Sequence, residues 1–142
     1  MRFVLALCLF ASTAQAWEFT PGLPCRLSHA AGSARIELTY DPTGPLYSVT
    51  VTRVAPWPAA PTFQMRFDGP QGRVIGTDRH VRSDGGRSLT VTDRGFGNVL
   101  DGLQFNHMVS VLSGATMQSF PLDGAAEPVA AFRRCDGLPL AS

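Results

Sequence analysis

Residues 77–94 concentrate the titratable side chains of this chain that could take part in acid/base chemistry. Such catalysis needs two titratable groups that converge on a substrate, with burial or a neighbour shifting one pKa. The candidates are Asp78, His80, Asp84 and Asp93.

The same residue types also suit the ends of two strands that flank a turn. Residues 84–86 read Asp-Gly-Gly, and an Asp side chain stabilises a turn by hydrogen-bonding to its own nearby backbone. If residues 73–83 pair with 88–94, Asp78 and Asp93 sit near strand ends beside Arg79 and Arg94. We favour the turn, and a hydrolase that uses Asp78, His80 and Asp93 is the alternative.

Metal and nucleophile chemistry have less support in the sequence. The three histidines, His29, His80 and His107, are far apart, and the chain has neither an HExxH motif nor a Cys/His cluster. A GxSxG motif is also missing, and Ser28 beside His29 on a strand would point to the opposite face. We therefore expect no metal site and no cofactor, and we assign no catalytic residue.

Residues 1–16 have the composition of a secretory signal peptide. Arg2 is the only charge, V-L-A-L-C-L-F-A supplies a short apolar run, and residues 14–16 match the small-x-small cleavage pattern. The run is well short of the ~20 apolar residues that a membrane span needs, and no other stretch approaches that length. We predict cleavage after Ala16, a periplasmic or secreted location, and a mature chain, residues 17–142, that forms a single β-rich domain.

The charged residues exclude further classes of protein. The chain contains no Lys, which removes Schiff-base chemistry and the phosphate-binding loop GxxxxGK[ST]. Once Arg2 is removed, eleven Arg balance eleven Asp plus Glu. A balanced surface exerts no long-range attraction on nucleic acid or anionic lipid, so we expect neither as a partner.

The cysteines indicate a disulfide. Cys8 leaves with the signal peptide and lies too near the start of the chain to suit lipidation, so Cys25 and Cys135 remain. An even pair in an exported chain is best explained as a bridge, which here closes a loop of about 110 residues and contributes roughly 4–5 kcal/mol in the chain-entropy model. A reactive thiol or a metal pair is the alternative, but the CxxC spacing typical of those sites is missing.

Alternation of apolar and polar residues predicts most of the secondary structure. In residues 34–40, Ile36, Leu38 and Tyr40 share one face, as in a half-buried strand. Further strands are predicted at 46–53, 62–68, 73–77, 79–83, 88–93, 107–112 and 116–122. The fold class is mainly β (α+β): a twisted antiparallel sheet or open sandwich of six to eight strands with two short helices.

Both helices lie in the second half of the chain. Asn98 is a suitable N-cap for a helix over 98–105, although Asp101-Gly102 would equally suit a tight hairpin. Pro128 suits the first turn of a helix that runs to Cys135, so the disulfide would tie this C-terminal helix back to the sheet.

Two short segments could present or bury an aromatic side chain. In residues 55–61, Pro56, Trp57 and Pro58 form a stiff loop whose Trp would be a low-entropy anchor for a partner. The alternative is that Trp57 folds down to cap the open end of the sheet. In residues 95–97, Gly-Phe-Gly, Phe96 would plug the core while its glycines permit a tight passage from strand to helix.

Three motifs carry a resemblance to a known group. The chain opens its mature part with W-E-F-T-P-G-x-P-C, continues with T-D-R-G-F-G-N-V-L-D-G-L-x-F-N, and ends with F-P-L-D-G-A and A-F-R-x-C. In these it resembles small uncharacterised bacterial envelope proteins, some of which carry the label of the helicase-like component of the ABC excinuclease. Its C-terminal part is also similar to invasion-associated locus B-like periplasmic proteins. The resemblance implies an envelope location and brings no active site.

An excinuclease activity is physically unsupported. The helicase-like component of that enzyme is an ATPase that works on DNA, whereas this chain lacks a Walker loop, any Lys and a net positive charge in its mature part. The sequence instead favours an exported, non-catalytic binding or interaction module whose partner is an envelope protein or a small ligand. The alternatives are the hydrolase described above and an inhibitor of an exported enzyme that presents the 55–61 loop.

Overall fold

A computed structural model describes residues 16–135 of the chain. Residues 1–15, which contain nearly all of the predicted signal peptide and Cys8, lie outside the described residues. The strands are β1 Glu18–Thr20, β2 Cys25–Ala31, β3 Ala34–Asp41, β4 Leu46–Thr52, β5 Phe63–Asp68, β6 Arg73–Thr77, β7 Val81–Ser83, β8 Ser88–Asp93, β9 Met108–Ser113 and β10 Thr116–Pro121. The helices are α1 Gly97–Phe105 and α2 Ala126–Arg133, and a 3-10 turn spans Asp84–Gly86.

The strands form two antiparallel sheets, which confirms the predicted mainly β fold with two short helices. The larger sheet has six strands in the order β1-β2-β3-β4-β8-β7, and the smaller has four in the order β10-β9-β5-β6. The described residues thus contain ten strands, whereas the sequence predicted six to eight. The two extra strands, β1 and β2, lie in a segment that alternation did not mark as paired.

The core lies between the sheets, because alternate residues of each strand point inward. Ile36 and Leu38 of β3 and Val51 of β4 are fully buried, as their periodicity predicts. They face the inward side chains of the smaller sheet, among them Phe67, Val109 and Val111. No helix in the described part of the chain has both the length and the apolarity needed to cross a membrane.

Both helices pack at the same end of the molecule. Residues 97–105 form a helix and not the hairpin, but Phe96 occupies the N-cap position and the predicted cap, Asn98, lies inside the first turn. An ion pair between Arg133 and Asp101 joins α2 to α1. The helix α2 also contacts β1 and β2, and its last residues lead to Cys135, which forms the predicted disulfide with Cys25 across a Cα–Cα distance of 6.5 Å.

One long edge of the sandwich is closed by aromatic packing. We call this the closed edge, and it is formed by β2, β10 and Trp17. The Trp17 ring stacks on His29 with a centroid distance of 5.0 Å, and its indole N–H donates to the Pro121 carbonyl at 2.9 Å. His29 in turn lies edge-on to Phe120. These contacts join the larger sheet to the smaller one.

Candidate functional site

The opposite edge of the sandwich holds a cleft of about 410 Å³. We call it the open edge, and it is formed by β6 of the smaller sheet and β8 of the larger one. The volume falls within the roughly 300–1,000 Å³ that is typical of small-molecule sites. The cleft is lined by Val49, Phe63, Met65, Ile75, Gly76, Thr77, Arg79, Val91, Asp93, Gly95, Phe96, Gly97, Asn98 and Val99.

The walls of the cleft are mainly apolar. Val49 of β4 faces Phe63 and Met65 of β5 across its deep part, and all three side chains are buried. Ile75 of β6 and Val91 of β8 are half-buried and stand nearer to solvent. An apolar group that entered the cleft would therefore exchange water for apolar side chains on both sides.

The cleft stays open because strand pairing is incomplete on both of its sides. The short strand β7 pairs only with residues 88–90 of β8, so residues 91–93 of β8 have a partner in β4 alone among the described strands. Within residues 16–135, strand β6 is the last strand of the smaller sheet and pairs only with β5. Residues 78–80 carry the chain from β6 to β7, that is, from one sheet to the other.

An ion pair lies at the rim of the cleft. Arg79 Nη2 is 3.4 Å from Asp93 Oδ2, and the two side chains are 71% and 44% exposed. Pairs with this exposure contribute between about 0 and 1 kcal/mol, so solvent or a ligand can compete with the contact. Nearby, Asn98 Oδ1 accepts a hydrogen bond from Arg73 at 3.4 Å. The charges that line the cleft itself are one cation and one anion.

The structure does not bring the four predicted acid/base residues together. Asp93 lines the cleft, whereas Asp78 is exposed and, like His80, is not part of the lining. Asp84 lies in the 3-10 turn and pairs with Arg87 at 3.2 Å, as the turn interpretation predicts. The sequence places these residues close along the chain, but their side chains take separate partners.

His80 has a structural role between two loops. Its Nε2 lies 3.0 Å from the Ala60 carbonyl, so this nitrogen carries the hydrogen and donates it. The ring stacks on Phe63 at 6.1 Å, and Nδ1 is buried without a hydrogen-bond partner. Within residues 16–135 no hydrogen bond joins His80 to a carboxylate. The imidazole therefore packs behind Phe63, which forms part of the cleft wall, and its hydrogen bond ties residue 80 to the Ala60 loop.

At residues 56–58 the structure shows the second of the two arrangements that the sequence allowed. Trp57 is only 1% exposed, and its indole N–H donates to the Val51 carbonyl at 3.1 Å. Its backbone N–H is bound to the Gly86 carbonyl at 2.7 Å, and the Arg53 guanidinium lies over its ring. Burial of this large apolar ring is more favourable than its display to solvent. Trp57 thus plugs one end of the sandwich, and only Pro56 and Pro58 are exposed.

The histidines lie in three separate environments. His29 is buried in the closed edge, His80 lies behind the cleft, and His107 is exposed. Among residues 16–135, no group of three or more His, Cys, Asp or Glu side chains is arranged to hold a metal ion.

Sequence reasoning missed the cleft because its walls come from distant segments. Ile75 and Val91 looked like ordinary inward residues of two strands, and nothing local shows that they face an opening. Phe96 is buried, as predicted, and forms part of the floor. Its neighbours Gly95 and Gly97 lie at the passage from β8 to α1, as expected, and neither has a positive φ. Gly95 and Gly97 were therefore the one feature of the sequence that could have pointed to the cleft.

Comparisons with known protein families, with curated proteins and with solved structures gave no match to this chain. The resemblance to bacterial envelope proteins therefore stays a prediction that rests on the motifs alone.

Proposed function

We propose that this protein is an exported, non-catalytic binding module of the bacterial cell envelope and that its ligand site is the cleft at the open edge. The observation that carries the proposal is a cleft of about 410 Å³ with apolar walls and a small polar rim. Sites that bind small ligands or side chains have this composition, since apolar walls supply affinity and a few polar groups supply orientation.

The rigidity of the walls supports binding. Val49, Phe63 and Met65 are held by strands that are paired on both sides, and Phe96 is fixed by stacking on Tyr47 at 5.3 Å. A site that exists before the ligand arrives avoids the entropic cost of ordering its walls. Each Å² of apolar surface that a ligand removes from water contributes about 25 cal/mol, before the cost of association is subtracted.

The distribution of titratable groups favours binding over hydrolysis. A hydrolase would need His80 and a carboxylate to converge on a bound substrate. His80 instead donates to a backbone carbonyl, and Asp93 is engaged by Arg79 at the rim. The inhibitor hypothesis loses its anchor as well, because Trp57 is buried.

The export part of the proposal rests on the sequence and on one structural feature. A disulfide between Cys25 and Cys135 is consistent with an oxidising compartment such as the periplasm. The predicted signal peptide gives the same location.

The cleft can be tested with an uncharged fluorescent probe, N-phenyl-1-naphthylamine. We expect saturable binding at one site per chain, and at least tenfold weaker binding to Ile75→Trp, in which an indole fills the cleft. Val74→Trp is the matched control, because Val74 is the adjacent residue of β6 and is 60% exposed on the other face. We expect the control to bind the probe like the unmodified protein.

Three outcomes would contradict the proposal. One is a failure to bind the probe saturably, and another is equal binding by Ile75→Trp and the unmodified protein. The third is turnover of p-nitrophenyl esters that is lost in His80→Ala, because a non-catalytic module has no such activity to lose.

A further inference from the structure

We propose that the occupant of the cleft is an extended peptide segment of another protein. Its backbone would add to the free strand edges of β6 and β8, and one apolar side chain would enter between the sheets. This inference rests on the proposed function, since it names the ligand class of the same site.

The first support is the free backbone on both sides of the cleft. Residues 73–77 of β6 pair with β5 on one side only, and residues 91–93 of β8 pair with β4 alone among the described strands. Free edges present N–H and C=O groups in alternation, and an extended peptide carries the same groups in the same spacing. Peptides are often recognised by this kind of strand addition, with a pocket selecting every second side chain.

The second support is a pair of glycines, Gly95 and Gly97, that the fold itself does not require. Both line the cleft just beyond the end of β8, and neither has a positive φ. A Cβ atom placed on either meets no atom within 4 Å, chain neighbours aside. On Gly76, by contrast, it would lie 3.6 Å from Gln64 Cγ, on the outer face of the smaller sheet.

What these glycines do provide is bare backbone along the cleft. With no side chains at Gly95 and Gly97, a second backbone can approach the cleft closely beside the end of β8. A compact apolar ligand held by the walls alone would gain nothing from such access. The glycines therefore favour a ligand that has a backbone of its own.

The third support is the charge balance of the rim. Arg79 and Asp93 already pair with each other, so the lining carries no net formal charge. An uncharged peptide segment can leave this pair intact or hydrogen-bond to both members. A fatty acid or a phosphate would have to displace Asp93 from Arg79 and would then face the freed carboxylate.

The experiment uses a phage-displayed random heptapeptide library. The library is selected on the full protein and counter-selected on Ile75→Trp, so that peptides bound outside the cleft are removed. We expect enriched sequences with one large apolar residue at a constant position and few prolines. A synthetic peptide made from them should lose at least tenfold in affinity when either alternate set of backbone nitrogens is methylated, because successive N–H groups of an extended strand point to opposite sides, one set to the edge of β6 and the other to the edge of β8.

The glycines provide a second, independent measurement. The double variant Gly95→Ala and Gly97→Ala should melt at or above the temperature of the unmodified protein, since each Cβ has room. It should also bind the peptide at least tenfold more weakly, because methyl groups keep the two backbones apart. Val74→Trp is again the control and should bind the peptide normally. A lower melting temperature of the double variant would overturn the glycine argument.

The outcomes separate this inference from the proposed function. If the naphthylamine probe binds the cleft but selection enriches no peptide, the peptide inference is wrong and the binding site stands. The same holds if decanoate displaces the probe and no peptide does, or if methylation of the backbone has no effect at any position. If the probe itself does not bind, both proposals fail together.

Discussion

The two long edges of the sandwich are built from the same kind of alternating strand but differ in how the space between the sheets is filled. At the closed edge, Trp17 stacks on His29 and bonds to the Pro121 carbonyl, so aromatic rings fill the space between the sheets. At the open edge, Gly95 and Gly97 line the gap without side chains to fill it, and a cleft of about 410 Å³ is left.

This difference shows where aromatic packing fills the space between the sheets and where that space is left unfilled. Burial of large aromatic rings contributes several kcal/mol, whereas an unfilled apolar cleft forgoes that stabilisation. A ligand that enters the open edge can supply the burial that the chain itself does not. Stability should therefore depend on residues of the closed edge, and ligand affinity on residues of the open edge.

The largest expected effect concerns the disulfide, which anchors α2 to β2 at the closed edge. The double variant Cys25→Ser and Cys135→Ser should lower the free energy of unfolding by roughly 4–5 kcal/mol, because the unfolded chain is no longer held in a loop. Urea unfolding measures the loss. In the mature chain, thiol titration after denaturation without reductant should find no free thiol, and reduction should expose two. Two free thiols before reduction would rule out the bridge.

The next effect concerns the ring that closes the edge. Trp17→Ala should lower the free energy of unfolding by about 3 kcal/mol, since a buried indole is lost and leaves a cavity. Val74→Ala on β6 is the control, and it should change stability by less than about 0.5 kcal/mol because Val74 is exposed. If the two variants unfold at the same urea concentration, Trp17 does not hold the closed edge.

A smaller effect compares glycines inside and outside the packed core. A Cβ atom on Gly102 would lie 2.6 Å from the ring of Phe67, so Gly102→Ala should cost about 1–3 kcal/mol through overpacking. Gly95→Ala at the cleft should change stability by less than about 0.5 kcal/mol, because the added methyl group meets no neighbour. Thermal unfolding of both variants tests the comparison, and equal losses would mean that the open edge is packed like the core.

The smallest effect is a pH dependence at Tyr47, whose ring stacks on Phe96 of the cleft floor. Burial, with a contribution from Tyr40, raises the pKa of Tyr47 above its usual value near 10. The folded protein thus holds this proton more tightly than the unfolded chain does. Its contribution to stability is complete below pH 10 and is lost as the pH rises through the folded pKa.

The chain contains no Lys, so tyrosines dominate its titration in this range. The urea midpoint of the unmodified protein should fall between about pH 9 and about 11, and Tyr47→Phe should reduce that slope. An unchanged slope in the variant would assign the alkaline sensitivity to other groups.

Much of the sheet structure was predictable because strand periodicity is local. The segments around Ile36 and Val51 alternate without interruption, and both became strands with the expected face inward. Strand β2 was missed because its inward positions include His29, a polar residue that alternation counts against burial. Stacking on Trp17 offsets part of the cost of burying His29. Because Trp17 lies outside β2, just before β1, the pattern of β2 alone does not reveal this contact.

The candidate site was much less predictable. Asp78, His80 and Asp93 are close in sequence, but the chain changes sheets between β6 and β7 and sends their side chains to different partners. The cleft draws on residues from Val49 to Val99, and no motif records that they meet. Trp57 illustrates the same limit, since its local sequence is compatible with both display and burial.

The sequence by itself determined the class of fold, the positions of most strands, the turn at residues 84–86 and the pairing of Cys25 with Cys135. Each of these follows from neighbouring residues or from the number of cysteines outside the predicted signal peptide. Only the tertiary structure decided that Trp57 is buried and that one edge is filled while the other stays open. Whether a side chain is buried depends on the surface that another segment brings to it, and that surface does not exist until the two sheets have packed.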